Sequence, residues 1–153
     1  MHLELSEEQF RRLVELVYLG NWMANAARDQ SDRIVAYEEL EQYILAHSRD
    51  FSAEDMVEYD EENDTYYVRQ DVEDKLMRLV DEYEDESFWE LLALRLAERD
   101  VMEEVGPVAA FTTTMHEKRW ELADKYGEEF EKYGLRRLRV VEGSQRRKHK
   151  QEK

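Results

Sequence analysis

The chain has no cysteine, and Pro107 is its only proline among 153 residues. The absence of cysteine excludes disulfides, thiolate metal sites and cysteine nucleophiles, and it fits a reducing compartment. With one proline and only five glycines, long stretches are free to be helical. The first residues have neither the basic start nor the apolar stretch of a signal peptide. No apolar run reaches the roughly 18 residues of a membrane span. We therefore expect a cytoplasmic helical protein.

Catalytic motifs are also missing. The sequence contains no Gly-rich phosphate loop and no His-Glu-x-x-His zinc motif. The residues three positions before His47 and His116 are Ile44 and Thr113, so the Glu-x-x-His pattern of di-metal helical bundles is absent as well. We therefore expect a non-enzymatic protein with no resident cofactor.

Charge is distributed unevenly along the chain. Residues 1–135 carry 36 Asp and Glu against 14 Lys and Arg, a net charge of −22. The last 18 residues carry 8 Lys and Arg against 2 Glu, a net charge of +6. An acidic body attracts cations and basic surfaces and repels phosphates, so we expect nucleic acid to contact only the basic tail.

The apolar periodicity predicts a mainly α fold, a compact bundle of about five helices. A capping box at Ser6–Gln9 begins the first helix. We expect a single acidic domain over residues 1–143 and a basic, disordered tail over 144–153. Short β-prone runs predict a hairpin at about 57–68, and a third strand is expected near 137–141. The other predicted helices begin at about Ser31, about Asp71, Ser87 and Thr114.

The segment from Asp60 to Asp71 resembles a twelve-residue calcium loop in the spacing of its acids. Asp60, Glu62, Asp64 and Asp71 occupy positions 1, 3, 5 and 12 of such a loop. Position 6 is Thr65 instead of the glycine that permits the sharp turn. The segment is therefore either a Ca²⁺ or Mg²⁺ site or a solvated hairpin turn, and the turn is the favoured interpretation.

Large apolar side chains indicate an interaction surface. Tyr18 and Trp22 lie four apart on the first helix, and Phe88 and Trp89 begin the fourth predicted helix. The first helix presents more apolar faces than one neighbour covers. Because Tyr and Trp are enriched in interface cores, we expect either a protein partner or a homodimer.

A third hypothesis treats the carboxylates as a substitute for nucleic-acid phosphates. Glu38, Glu39 and Glu41, together with residues 81–86, supply the negative charge. Such a mimic would bind basic nucleic-acid-binding proteins, and it requires the acids to lie in an ordered array. The sequence thus predicts an interaction protein, with a metal-binding protein and an acidic mimic as alternatives.

Overall fold

The structure, a computed structural model, describes residues 4–106 and 110–139. The described residues are mostly helical (74%), with a small two-stranded antiparallel sheet, so the mainly α prediction is confirmed. They form four helices rather than about five. The helices are α1 (Glu7–Asn25), α2 (Val35–Ala46), α3 (Gln70–Val105) and α4 (Thr113–Tyr133), and the strands are β1 (Val57–Asp60) and β2 (Thr65–Val68).

The helix count differs because the third and fourth predicted helices are one helix, α3, of 36 residues. The acidic run over residues 81–86 and the capping pattern at Ser87 favour a break between two helices. That prediction is wrong, because the helix is continuous. That run contains no glycine or proline, and all six of its side chains are exposed to water. A cap sequence permits a helix to begin but does not stop the one before it, so the backbone continues through Ser87.

The hairpin predicted at about 57–68 is confirmed. The third strand predicted near 137–141 is not present over residues 137–139, the part of it that the structure describes. β1 and β2 pair antiparallel, with Val57 opposite Val68. Gly134–Arg137 forms a 3-10 turn, and the sheet of the described residues has two strands only. Residues 140–141 and the basic tail over 144–153 lie outside the described residues.

The chain divides into two compact units, Met1–Tyr83 and Glu84–Lys153. In the first unit, Ser6 and Gln9 form the predicted capping box, with N···O distances of 2.9 and 3.2 Å. Phe10 is buried and stacks on Phe51 with ring centroids 4.2 Å apart. The single domain expected over residues 1–143 stays a prediction. The buried cluster of this unit contains Phe10, Val14, Leu45, Ala53, Met56, Val57, Val68, Val72 and Leu76.

The second unit contains a helical hairpin made from the end of α3 and from α4. Gly106 ends α3 at a positive φ of 80°, a conformation that glycine adopts without a steric penalty. Thr112 caps α4 by accepting a hydrogen bond from the Met115 backbone N–H. The hydroxyl of Tyr126 on α4 donates to Asp100 on α3 at 2.5 Å. This bond ties the helices side by side, which positions the groove described below.

The acidic surface leads to a prediction about salt. We expect the melting temperature to rise between 0.1 and 1 M NaCl, because the Debye length shrinks from about 10 Å to about 3 Å and repulsion among the carboxylates weakens. Differential scanning calorimetry would measure the shift. A falling melting temperature would show that attractive contacts, such as the ion pairs of Arg11 with Asp55 and Arg137 with Glu129, outweigh the repulsion.

Candidate binding groove and polar cavity

An open groove of about 1020 Å³ lies between α3 and α4 in the second unit. Its α3 wall comes from residues 89–94, and its α4 wall from residues 120–131. The apolar lining residues recur along α4 at helical spacing, which places them on one face of the helix. The lining consists of Trp89, Glu90, Ala93, Leu94, Trp120, Ala123, Asp124, Gly127, Glu128, Phe130 and Glu131.

The base of the groove is aromatic and closely packed. Phe130 is buried, and its ring centroid lies 5.6 Å from that of Trp89 and 5.9 Å from that of Tyr126. Ala93 and Ala123 also line the groove and are buried. The groove is therefore supported by packed side chains on both helices.

The upper part of the groove is open. Trp120 is 53% exposed although it is one of the largest apolar side chains in the unit. A Cβ atom built on Gly127 would meet no atom within 4 Å, so the groove has free space at this position of α4. An exposed indole beside such a space is a surface that can bury apolar area against a partner.

The charged lining residues of the groove are all acidic. They are Glu90 on α3 and Asp124, Glu128 and Glu131 on α4. None of them forms an ion pair with another residue that the structure describes. Arg119 is not a lining residue, but its guanidinium carbon lies 5.2 Å from the centroid of the Trp120 ring. The groove is thus an apolar trough with a carboxylate rim.

The structure separates the four residues expected to form an interaction surface. Trp89 lines the groove, and Phe88 is 47% exposed and packs edge-on against Trp89 at 5.0 Å. Tyr18 and Trp22 belong to the first unit, where both are partly buried on α1. Sequence reasoning did not select Trp120 as an interaction residue, although its spacing of three from Ala123 and seven from Gly127 marks one face of α4.

The first unit has a different kind of cavity, polar and about 550 Å³ in volume. Asn21 donates a side-chain hydrogen bond of 2.5 Å to Glu41, and the Tyr18 hydroxyl donates one of 2.5 Å to Glu73. Burial raises the pKa of Glu41, although the hydrogen bond from Asn21 opposes the shift. Burial and the bond to Glu73 also raise the pKa of Tyr18. These carboxylates and the phenol already have partners within the chain.

The raised pKa of Glu41 has a consequence for stability. The folded protein holds this proton more tightly than the unfolded chain does, so stability is lost as the pH rises from the ordinary carboxyl range through the raised pKa. We expect Glu41→Gln to raise the melting temperature at pH 7 and to have little effect at pH 3.5. Glu39→Gln, on the exposed face of the same helix, is the matched control. Equal changes in melting temperature for both variants at pH 7 would contradict a raised pKa of Glu41.

The residues of the predicted metal loop have separate roles in the structure. Asp60 accepts hydrogen bonds from the backbone of Glu62 and from the side chain of Asn63, which closes the hairpin turn. Asp64 has a positive φ of 51° and accepts a hydrogen bond of 2.6 Å from the Tyr59 hydroxyl. Asp71 lies in the first turn of α3 and is exposed.

These contacts bear on the metal hypothesis. Among the described residues, no group of three or more His, Asp or Glu side chains is arranged to hold a metal ion. The Ca²⁺ or Mg²⁺ site stays a prediction, and calorimetric titration with each ion would test it. Heat evolved by the wild type but not by Asp60→Ala would support a site.

Comparison with known proteins gives no family to assign, because no protein family, curated protein or solved structure matches this chain. Within residues 4–106 and 110–139, none of the helices has the apolar length that a bilayer crossing requires. The groove and the charge around it are therefore the features of the molecule that indicate a function.

Proposed function

We propose that the protein is a non-enzymatic interaction module that binds a helical segment of a partner protein in the groove between α3 and α4. The observation that carries the proposal is the open apolar trough, which is lined by half-exposed Trp120 and by buried Phe130. A bound helix would cover this indole and bury its apolar area, which contributes roughly 25 cal/mol for each Å² removed from water.

The shape of the groove favours a helix over a small ligand. Its α4 wall runs from Trp120 to Glu131, about 16 Å at the rise of an α-helix. That length matches about three turns of a partner helix. Two packed helices form one layer, and a third helix lying along their shared groove extends the layer into a bundle. An amphipathic helix in an apolar groove is a recurrent recognition mode, with anchors at three- and four-residue spacing.

A second surface favours self-association as an additional function. Leu16 and Met23 on α1 and Tyr37 and Leu40 on α2 are exposed, and they line a shallow groove of about 380 Å³. No lining residue of this shallow groove is charged. Two copies of an acidic protein repel each other, so a homodimer contact requires such an uncharged face. Light scattering over a wide concentration range would test it.

The acidic-mimic alternative has less support. Residues 81–86 are six successive positions of α3, so neighbouring side chains point about 100° apart around the helix. A substitute for a phosphate backbone requires a row of carboxylates along one face. The run spans less than two turns, so only short sets such as Asp81 with Asp85 and Glu82 with Glu86 share a face, and a longer row is not formed.

Site-specific cross-linking in the native cell would test the proposed function. A photoreactive phenylalanine analogue is placed at Trp120, inside the groove, and in a second variant at Leu91, which is 56% exposed on α3 but does not line the groove. We expect a discrete cross-linked partner at position 120 that is missing at position 91. The same products at both positions, or none at position 120, would refute the groove as a binding site.

A further inference from the structure

The charge of the groove identifies the chemistry of its partner. We infer that the bound segment is a cationic amphipathic helix, an inference that rests on the proposed function. It has an apolar stripe that fills the trough and Lys or Arg residues along the edge that faces α4. The juxtaposition behind this inference is an apolar base with a rim of carboxylates that form no ion pair with the residues that the structure describes.

The acids of α4 lie along one edge at regular intervals. Asp124 and Glu128 are four residues apart, and Glu128 and Glu131 are three apart. Such positions are neighbours on a helix surface. Lys125 and Lys132 stand three and four residues from Glu128, but neither forms an ion pair with it, so this edge offers three carboxylates that cations on a partner would neutralise.

Among the acids elsewhere on the same two helices, some, such as Asp81, Glu82 and Glu121, form no ion pair with a described residue, whereas others have cationic partners. Glu104 pairs with Lys118, Asp100 with Arg99, and Glu98 with Arg95. The four groove acids have no such partner among the described residues, and no lysine or arginine lines the groove. The intramolecular ion pairs thus leave the rim of the groove negative, which complements a basic segment and rejects an acidic one.

The spacing of the acids predicts the positions of the lysines and arginines along the partner helix. A helix lying alongside α4 has nearly the same rise per residue, so cations opposite Asp124, Glu128 and Glu131 repeat at intervals of four and three residues. The apolar anchors between them face Trp120, Gly127 and the space above Phe130. The groove of a second copy does not meet this description, because it presents the same carboxylates.

A designed peptide would test the inference. The probe is an 18-residue amphipathic helix with leucine anchors and lysines at the four- and three-residue intervals, and the control peptide replaces each lysine by glutamate. Calorimetry at 0.1 M NaCl is expected to show the lysine peptide binding at least about tenfold more tightly, because its lysines form exposed ion pairs with the rim, whereas the glutamates of the control peptide are repelled by it. Equal binding of both peptides would overturn the inference.

Two protein variants test whether the groove carboxylates cause the tighter binding of the lysine peptide. Neutralising the rim with Asp124→Asn, Glu128→Gln and Glu131→Gln is expected to weaken binding of the lysine peptide about tenfold. The matched control, Asp81→Asn, Glu82→Gln and Glu84→Gln, removes the same charge outside the groove and is expected to weaken it less than about twofold. Equal losses in both variants would assign the attraction to overall charge and overturn the inference.

A third variant separates this inference from the proposed function. Gly127→Leu adds a side chain where the groove is open and favours the helix, so it blocks the trough without removing packing. If the two peptides bind the wild type equally and Gly127→Leu abolishes both, the groove binds helices but does not select cations, and only the inference fails. If neither peptide binds the wild type, the inference also fails. The proposed function fails separately if position 120 cross-links no partner.

Discussion

Trp120→Ala is expected to weaken binding of the lysine peptide about 30-fold or more. The indole lies at the open side of the groove, and truncating a tryptophan that becomes fully buried in a complex typically costs 2 kcal/mol or more, or about 1.4 kcal/mol per factor of ten. Because the side chain is 53% exposed in the free protein, the melting temperature is expected to change little. Isothermal calorimetry and a thermal melt would measure the two quantities separately.

Leu135→Ala is the matched control for this variant. Leu135 is 54% exposed, close to the value for Trp120, but it follows α4 and does not line the groove. We expect its dissociation constant for the peptide to remain within about twofold of the wild-type value. If both variants lose affinity equally, or if Trp120→Ala keeps full affinity, Trp120 is not an anchor of the interface.

Phe10→Ala is expected to produce the largest loss of stability, about 3–5 kcal/mol. Phe10 is 2% exposed, stacks on Phe51 and belongs to the buried cluster of the first unit. Its removal forfeits apolar burial and leaves a cavity that packed neighbours fill only in part. Because small proteins are stable by only about 5–15 kcal/mol, the variant is expected to lose a large share of its free energy of unfolding. Urea unfolding followed by circular dichroism would measure it.

The control for the core substitution is Phe88→Ala, the same change at an exposed position. Phe88 is 47% exposed, so we expect its loss to be about 1 kcal/mol or less. The two variants together distinguish burial from residue type. Similar losses for both would contradict the packing described for the first unit.

The local signals in the sequence predicted much of the fold. Ser6 and Gln9 identified the start of α1 because a capping box satisfies backbone donors within one turn. Gly106 ends α3 for a similarly local reason, since glycine adopts a positive φ without a penalty. The continuity of α3 through Ser87 was not predictable from its cap pattern, because the same residues are tolerated inside an exposed helix.

The groove was only partly predictable from the sequence. Trp89 was selected as an interaction residue because it is aromatic and lies near a predicted helix start. Trp120 and Gly127 come from another helix, and only the pairing of α3 with α4 shows that they share a surface with Trp89. That Asp124 and Glu128 form no ion pair within residues 4–106 and 110–139 is likewise a tertiary property, because it depends on where cations from other elements lie.

The central claim is that a partner helix binds between α3 and α4. The most direct measurement is a backbone amide NMR titration of the isotopically labelled protein with the lysine peptide. The largest shift changes are expected in residues 89–94 and 120–131. Changes centred instead on α1 and α2, around Leu16 and Leu40, or spread evenly over the acidic surface, would contradict it.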